Sequence, residues 1–494
     1  MAAVALLAVV VRLRTLQLPS AGGDAFEYVL AAKHLAYGVS AEHWTWGHHN
    51  ARFGIVLPAA FAYWISGDHI WAYYFVPLTS AMGVVLATYA VGHRLHGPAL
   101  ALLAATTMAL FPPMQRFGSQ IGPEAPGALC LLTATYAMLR AADEDDARRR
   151  LAWLLALSGA CFAAYMIWVP TVFAFPGLWL GLWICGGRRR DVATVAASCA
   201  ALFWLEWTAY FLFTEETYGR IGIIASGHLD HRNLKEVDGA SSLLKRFKGL
   251  EPAWYYVLVP GLVSWGGAVV QYKPCRRLVA ATTAGITFLV GVVFAVKSLD
   301  PLVPVLPFRA RYFFITVPFG TLAFWWIVVR RTRARVVAQP DRPPPWRTIG
   351  LLLVGSSIVF PKAWKPRGTD HALEATLEDM KLAERAHTEG WPVLVNGGDT
   401  RTLMRGYIAL YWQGDRLEGL PRTRRAKIGD RTYRFLVDPE AAKHTRQVRR
   451  HALAGGTVLR LRKDQRRDPV LGHTRARFQV DETTLTKGRE KQAR

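Results

Sequence analysis

The sequence of 494 residues is poor in the signatures of several familiar chemistries. It has only five cysteines, Cys130, Cys161, Cys185, Cys199 and Cys275, with no CxxC pair among them. All lie inside apolar runs or beside a basic cluster, so neither a disulfide framework nor a structural zinc site is expected. No GxGxxG turn occurs, which argues against a nucleotide-sugar donor held on a dinucleotide-type fold. No HExxH pair occurs, and the adjacent His48 and His49, with His43 nearby, lack the i,i+4 spacing of a helical metal site. No cofactor is expected, and the histidine spacing does not favour a catalytic divalent metal. Acidic residues are scarce: 36 Asp and Glu stand against 60 Lys and Arg, for a net charge of +24. The apolar start "MAAVALLAVVVRL" lacks a basic leader and an A-x-A cleavage site, so it reads as a retained first span rather than a signal peptide. Met1 lies so close to that run that a start further upstream is compatible with it.

What the chain does have is apolar length. Hydrophobic residues make up 52% of it, with 18 Trp and a mean hydropathy of +0.15. Runs of about 17–25 apolar residues, enough to cross a bilayer core, recur along most of the sequence. The expected class is an all-α polytopic membrane protein with spans near 1–17, 70–91, 98–112, 126–140, 151–167, 170–185, 191–213, 253–271, 278–296, 312–329 and 348–361. Residues 22–38 and 43–67 in the first long loop each hold an apolar stretch too short to span, and read as interfacial helices.

Charge sets the orientation. With the N-terminus cytoplasmic, every second loop is cytoplasmic. Those loops are "GHRLHG", "DEDDARRR", "GGRRRD", "YKPCRR" and "RRTRARVV", which hold the strong short Arg clusters. Counting 53–66 as a span would reverse everything downstream and spoil that pattern. The basic excess between spans therefore reads as a topology signal, not as a nucleic-acid surface. Loops 18–68, 113–125, 214–251 and 298–311 fall on the outer face, as does the tail. From about 363 the sequence changes character: an amphipathic helical pattern at 371–390 precedes strand-like "WPVLVNGG", "TYRFLVDP" and "TVLRLRK". The expected organisation is a membrane domain at 1–362, a small outer α+β domain at 363–480 and a polar disordered tail at 481–494.

Charged residues near a bilayer are costly unless they serve a site or sit in water. The outer loops bring Asp24, Glu27, Arg52, Arg116, Glu124, Arg309 and Arg311 to one face, with Tyr28, His48, His49 and Tyr312 beside them. Carboxylates can act as general bases, and guanidiniums can hold a phosphate bidentately. Together at an outer interface they suit sugar transfer from a lipid phosphate donor, whose phosphate sits at headgroup depth. Each residue also has an ordinary alternative. Asp24 can cap a helix, Glu27 can be exposed, Glu124 can complement a helix dipole and the arginines can snorkel. Glu206, inside "FWLEWTAYF", is an intramembrane carboxylate that suits either a site or a structural pair, and Asp300 in "SLDPLVP" suits a turn.

These residues carry a resemblance. "GGDAFEYVLAAKHLAYG" resembles the first outer loop of the GT-C glycosyltransferases, polytopic enzymes that take sugar from polyprenyl-phosphate donors and include protein mannosyltransferases and lipid A aminoarabinose transferases. Asp24, Tyr28, Ala32, Leu35 and Gly38 match the pattern. Ala25 stands where the family usually carries a second acid, and Glu27, one helical turn on, is the candidate substitute. Residues 50–67 resemble the interfacial segment before the second span. In residues 93–140, Glu124 occupies a family acid's place before the fourth helix. "FRARYFFITVPFGTLAF" resembles the late RYxxxxxP stretch, through Arg311, Tyr312 and Pro318. The resemblance covers about residues 1–330. It implies Asp24 as base, Glu124 and Glu27 as supporting acids and Arg311, Arg52, Arg116 and Arg309 around the lipid phosphate. The implied partners are a polyprenyl-phosphate-sugar donor, a lipid, glycan or protein acceptor, and membrane lipids, without nucleic acid, in a cell inner membrane. A secondary transporter or lipid flippase is the alternative from another class, and a non-catalytic scaffold a third.

Overall fold

The computed structural model describes residues 1–14, 24–37, 51–67, 70–214, 217–229, 252–294, 310–338 and seven short strands. Contacts divide the chain into two units. One holds Met1–Gln17, Trp46–Pro58 and Tyr73–Pro366, and the other Leu18–Thr45, Ala59–Ala72 and Arg367–Arg494.

The first unit is helical. It contains α1 (Ala2–Arg14), the start of α3 (Phe53–Ser66), nearly all of α4 (Ile70–His96), then α5 (Pro98–Leu110), α6 (Pro112–Phe117), α7 (Glu124–Asp143) and α8 (Ala147–Ile167). A 3-10 turn, Val169–Ala174, leads to α9 (Phe175–Ile184), followed by α10 (Arg189–Thr214), α11 (Gly219–Leu229), α12 (Pro252–Val270) and α13 (Tyr272–Phe294). After a hairpin of β1 (Val296–Leu299) and β2 (Leu302–Pro304), a second 3-10 segment, Ala310–Thr316, runs into α14 (Val317–Ala338). Among the described residues, five stretches are long and apolar enough to cross a membrane: Trp71–His96, Ala147–Ile167, Arg189–Leu212, Cys275–Val292 and Phe313–Ala334. Shorter apolar helices accompany them. These are the helices of a multi-pass membrane protein. Large apolar side chains on their outside fit that medium: Trp204 and Leu212 on α10 are 63% and 71% exposed.

Local chemistry sets the helix ends. Gly97, at φ +83°, turns the chain, and Pro98 opens α5 without wasting an amide donor. The Asp146 side chain accepts from the Arg149 backbone N–H at 2.8 Å and caps α8. Hydroxyls inside the bundle donate to their own helix: Thr88 to the Val84 carbonyl, Thr135 to Leu131, Ser158 to Leu154 and Thr282 to Leu278. That satisfies them without water. Small residues let backbones meet. A Cβ added at Gly181 on α9 would lie 2.6 Å from the Ala280 carbonyl oxygen on α13, and one at Gly261 on α12 would lie 2.6 Å from Gly320 Cα on α14.

Several expectations change here. Three of the basic clusters are helix ends rather than loops. His93, Arg94 and His96 form the last turn of α4 and "YKPCRR" the first turns of α13, while α14 runs on through "RRTRARVV". Long cationic side chains can extend a helix past the apolar core because their heads reach water. The stretch read as a sixth span is a 3-10 turn plus a ten-residue helix, broken by Pro170 and Pro176. α7 is not among the five apolar stretches. Its Ala- and Thr-rich sequence is largely buried, so it needs less apolar surface. The 214–251 loop contains α11, and the 298–311 loop contains part of the hairpin, whose Asp300 lies outside the described residues, as does the expected span at 348–361.

In the second unit, α2 (Asp24–Tyr37) begins at Asp24, with Glu27 also in its first turn, as the short interfacial helix was expected to. The buried Lys33 ammonium lies 5.3 Å from the centre of the Tyr63 ring. A five-stranded sheet has the order β4 (Arg422–Ile428), β5 (Arg431–Val437), β3 (Val393–Val395), β6 (Leu459–Arg467) and β7 (Thr474–Val480). All its pairs are antiparallel except β3 with β6. Three of these strands were expected. β4 and β7 were not. The amphipathic pattern at 371–390 lies outside the described residues.

A paired substitution tests the glycine contacts. Gly261→Ala presses a methyl onto the Gly320 backbone and is expected to cost about 1–3 kcal/mol by overpacking. Gly159→Ala on α8, where an added Cβ meets nothing within 4 Å, is expected to be neutral or stabilising. Thermal unfolding of the two variants in detergent measures the difference.

Candidate functional site

The hydrogen bonds of the first unit define the two ends of its bundle. At one end, Asp143 of α7 pairs with Arg94 of α4 at 2.8 Å and with Arg277 of α13. α7 has 20 residues, so its first residue, Glu124, stands about 30 Å away at the opposite end. There Arg12 reaches from α1 to the end of α5, donating through Nη2 to the carbonyls of Met108 at 3.2 Å and Ala109 at 3.0 Å. This places a cation at a helix C-terminus, where the free carbonyls favour it.

Glu124 is buried, at 5% exposure, in the first turn of α7 after Pro123. Its carboxylate folds back over the preceding turn: a Cβ added at Gly122 would lie 2.5 Å from Glu124 Oε2. One turn further along, an added Cβ at Gly127 would meet Ile315 Cδ1 at 3.3 Å. Phe117 on α6 and Phe314 pack with ring centres 5.0 Å apart. The 3-10 segment that carries Arg311 and Tyr312 is thus seated against both the head of α7 and α6, which carries Arg116. For Arg116, Arg311 and Tyr312 only the backbone is described. Arg12 belongs to the same region, since an added Cβ at Gly118 would come 3.4 Å from Arg12 Cδ. Sequence reasoning passed over Arg12. Its signal was a guanidinium inside the last turn of an apolar span, two residues before Arg14.

A second polar cluster lies at this end. Arg220 of α11 is buried, and its Nε donates to Glu206 Oε1 at 2.6 Å. Nη2 donates to the Tyr165 carbonyl at 3.0 Å and Nη1 to the Met166 carbonyl at 3.3 Å, and the guanidinium lies 4.1 Å from the Tyr165 ring centre. The Tyr165 hydroxyl donates to Glu206 Oε2 at 3.2 Å. One turn along α10, Tyr210 donates to the Ala51 carbonyl at 3.5 Å, and its ring packs on Phe53. Arg52, between those two residues, is buried, and its carbonyl accepts from the Ile55 and Val56 amides. The cluster therefore fixes the stretch that carries Arg52. It also gives Glu206 the structural pairing that was one of its two readings. Arg220 was missed in sequence because its partner lies 14 residues away on another helix.

Asp24, Glu27 and Tyr28 belong to the second unit. Asp24 and Glu27 are half-buried at the head of α2 and Tyr28 is fully buried. His48, His49 and Arg309 lie outside the described residues. Among the described residues no three His, Cys, Asp or Glu side chains come together as a metal ligand set.

An apolar helical bundle with acids and guanidiniums gathered at one end defines a class, the multi-pass membrane protein with a polar site at one interface. The comparisons sharpen it. Residues 55–217 match the family described as dolichyl-phosphate-mannose-protein mannosyltransferase, a segment that includes Arg116, Glu124 and Glu206. Over that segment the chain is similar to a family of the GT-C glycosyltransferases that the sequence resembles. No curated protein matches the chain. Among solved structures, the apo oligosaccharyltransferase of Archaeoglobus fulgidus aligns at 13% identity and a TM-score of 0.49, over 73% of this chain and 54% of its own. This chain thus spans about half the length of that protein. ArnT of Cupriavidus metallidurans aligns at 15% identity in its apo state, with a TM-score of 0.46 over 83% of this chain and 74% of its own. ArnT bound to undecaprenyl phosphate aligns at 14% identity with a TM-score of 0.40, over 83% and 75%.

Removing one member of the buried pair tests its weight. Arg220→Leu leaves Glu206 charged and unpaired and is expected to cost about 3–5 kcal/mol, whereas Glu206→Leu/Arg220→Leu is expected to recover most of that loss. A double-mutant cycle on thermal stability in detergent measures both.

Proposed function

We propose that the protein is an integral-membrane glycosyltransferase of the GT-C type. It moves a sugar from a polyprenyl-phosphate donor to an acceptor on the outer face of the membrane, with inversion at the sugar carbon. The observation that carries this reading is the buried Glu124. It heads α7 inside the segment that matches the mannosyltransferase family, against the 3-10 segment bearing Arg311.

In this reading Asp24 removes the proton from the acceptor's hydroxyl or amine as that group attacks C1 of the sugar. The bond from C1 to the phosphate oxygen breaks, and the polyprenyl phosphate leaves with the electron pair. A phosphate is already a good leaving group, so no general acid is required. Cations positioned where its charge develops do the stabilising. Arg311 is the first candidate for that task, with Arg52, Arg116 and Arg309 behind it. Glu124 orients the acceptor or supports the donor, and Glu27 stands in for the acid missing at Ala25. Tyr28, His48, His49 and Tyr312 line the substrate. No step calls for a metal or a cofactor. The outer α+β domain, with the N-terminus cytoplasmic and the membrane a cell inner membrane, completes the reading and serves to admit the acceptor. A secondary transporter would account for the spans and for Glu206, which pairs with Arg220; the lack of two related halves in the sequence and the charged residues clustered at one face favour the transferase.

Two substitutions test the roles. Asp24→Asn is expected to leave the protein folded in the membrane and to lower transfer by about 10²–10⁴-fold, as loss of a general base does. Transfer at the wild-type rate would overturn the assignment. Gly122→Ala displaces only the flexible end of Glu124, so it is expected to keep thermal stability while lowering transfer by up to about a hundredfold through misplacement. The assay follows radiolabelled sugar from lipid extract to acceptor.

A further inference from the structure

The other end of the bundle holds a second cationic site. A cavity of about 330 Å³ opens there between α4, α13 and α14, and Lys273, Arg276, Arg277, Arg330, His96 and Trp326 are among the residues lining it. No acid lines it. A topology signal needs cations on one side of a membrane and does not need them to converge. Here α4 and the distant pair α13 and α14 bring four full positive charges to one hollow, which raises their mutual repulsion.

Among the described residues only part of that charge is answered. Arg277 pairs with Asp143, which Arg94 shares. Arg276 donates to the Cys185 carbonyl at 3.2 Å, a dipole rather than a charge. Arg330 lies 5.1 Å from the Trp326 ring centre and donates to Cys275 Sγ, which holds it in place without neutralising it. Lys273 has no partner among the described residues. His96 Nε2 is enclosed and has no hydrogen-bond partner among the described residues. Among the described residues the hollow thus presents held guanidiniums, an ammonium without a partner and an imidazole nitrogen without one, at the end of the apolar stretch of α4.

We propose that this cavity binds a phosphate group, carried by an anionic lipid of the leaflet at this end. A phosphate offers acceptor oxygens to several donors at once, and basic pockets between membrane helices suit lipid headgroups. The assignment rests on the chain spanning a bilayer and not on the sugar-transfer reading. It concerns a site about 30 Å from Glu124 along α7.

The test uses the full chain, purified in detergent and stripped of lipid. Phosphatidylglycerol or phosphatidylcholine is titrated in, and bound lipid is counted by native mass spectrometry. A parallel series follows thermal stability against inorganic phosphate. The wild type is expected to retain phosphatidylglycerol over phosphatidylcholine. Lys273→Gln/Arg276→Gln is expected to weaken that retention by about fivefold per charge removed. Arg148→Gln/Arg149→Gln, an equal loss of charge from exposed positions at the start of α8 outside the cavity, is expected to change nothing. Stabilisation by inorganic phosphate that the cavity variant abolishes, without lipid retention, assigns the site to free phosphate and upholds the phosphate chemistry. Equal losses in both double variants overturn the proposal, as does the absence of any response to either probe. Loss of sugar transfer alone leaves it standing, because its readout is binding.

Discussion

A guanidinium buried in an apolar bundle has to find its acceptors inside the protein, and this constraint organises the end of the molecule where the candidate chemistry sits. Arg12 ties α1 to the end of α5, and Arg220 ties α11 to α8 and α10. Arg12 spends its Nη2 on two carbonyls at the end of α5, and Arg220 spends its donors on two carbonyls of α8 and on a carboxylate that would otherwise be stranded. Without Arg220, Glu206 would be an isolated charge in a medium that cannot solvate it. With it, the loops between these helices are held at defined places, including the Ala51–Phe53 stretch that leads through Arg52 into α3.

Close helix approach supplies the other half of the order. Glycines at the crossings of α9 with α13 and of α12 with α14 bring backbones together where any side chain would intrude. Lipid offers no hydrophobic drive between helices, so such contacts and internal hydrogen bonds carry the packing. The same tight packing positions the polar residues. Glu124 has little choice of direction once Gly122 leaves room for its carboxylate and α7 is pressed against Ile315.

The two ends of the bundle divide the charges by role. The Glu124 end gathers acids and arginines drawn from distant segments. The opposite end collects the clusters that the charge rule assigns to one side of a membrane, yet there too the helices converge and make a hollow out of what reads as loops. The mannosyltransferase family match covers most of the helices that connect the two ends, from residue 55 to 217.

Much was legible in the sequence. Long apolar runs are self-evident, because a helix crossing a bilayer must satisfy its backbone internally and face lipid with apolar side chains. The start of α2 at Asp24 and of α7 at Glu124 followed from local residue chemistry, since acids favour a helix's first turn. The resemblance to the GT-C enzymes lay in short spaced motifs, which survive in a string of letters. What the string did not hold was partnership across the fold. The pairing of Glu206 with Arg220, the grip of Arg12 on α5 and the seat of Ile315 on Gly127 depend on helices meeting in space. The basic clusters show the same limit from the other side. Their sequence determined that cations stand at one end, and only the tertiary structure gathered them around one open hollow, because helix length and rotation decide where a side chain points.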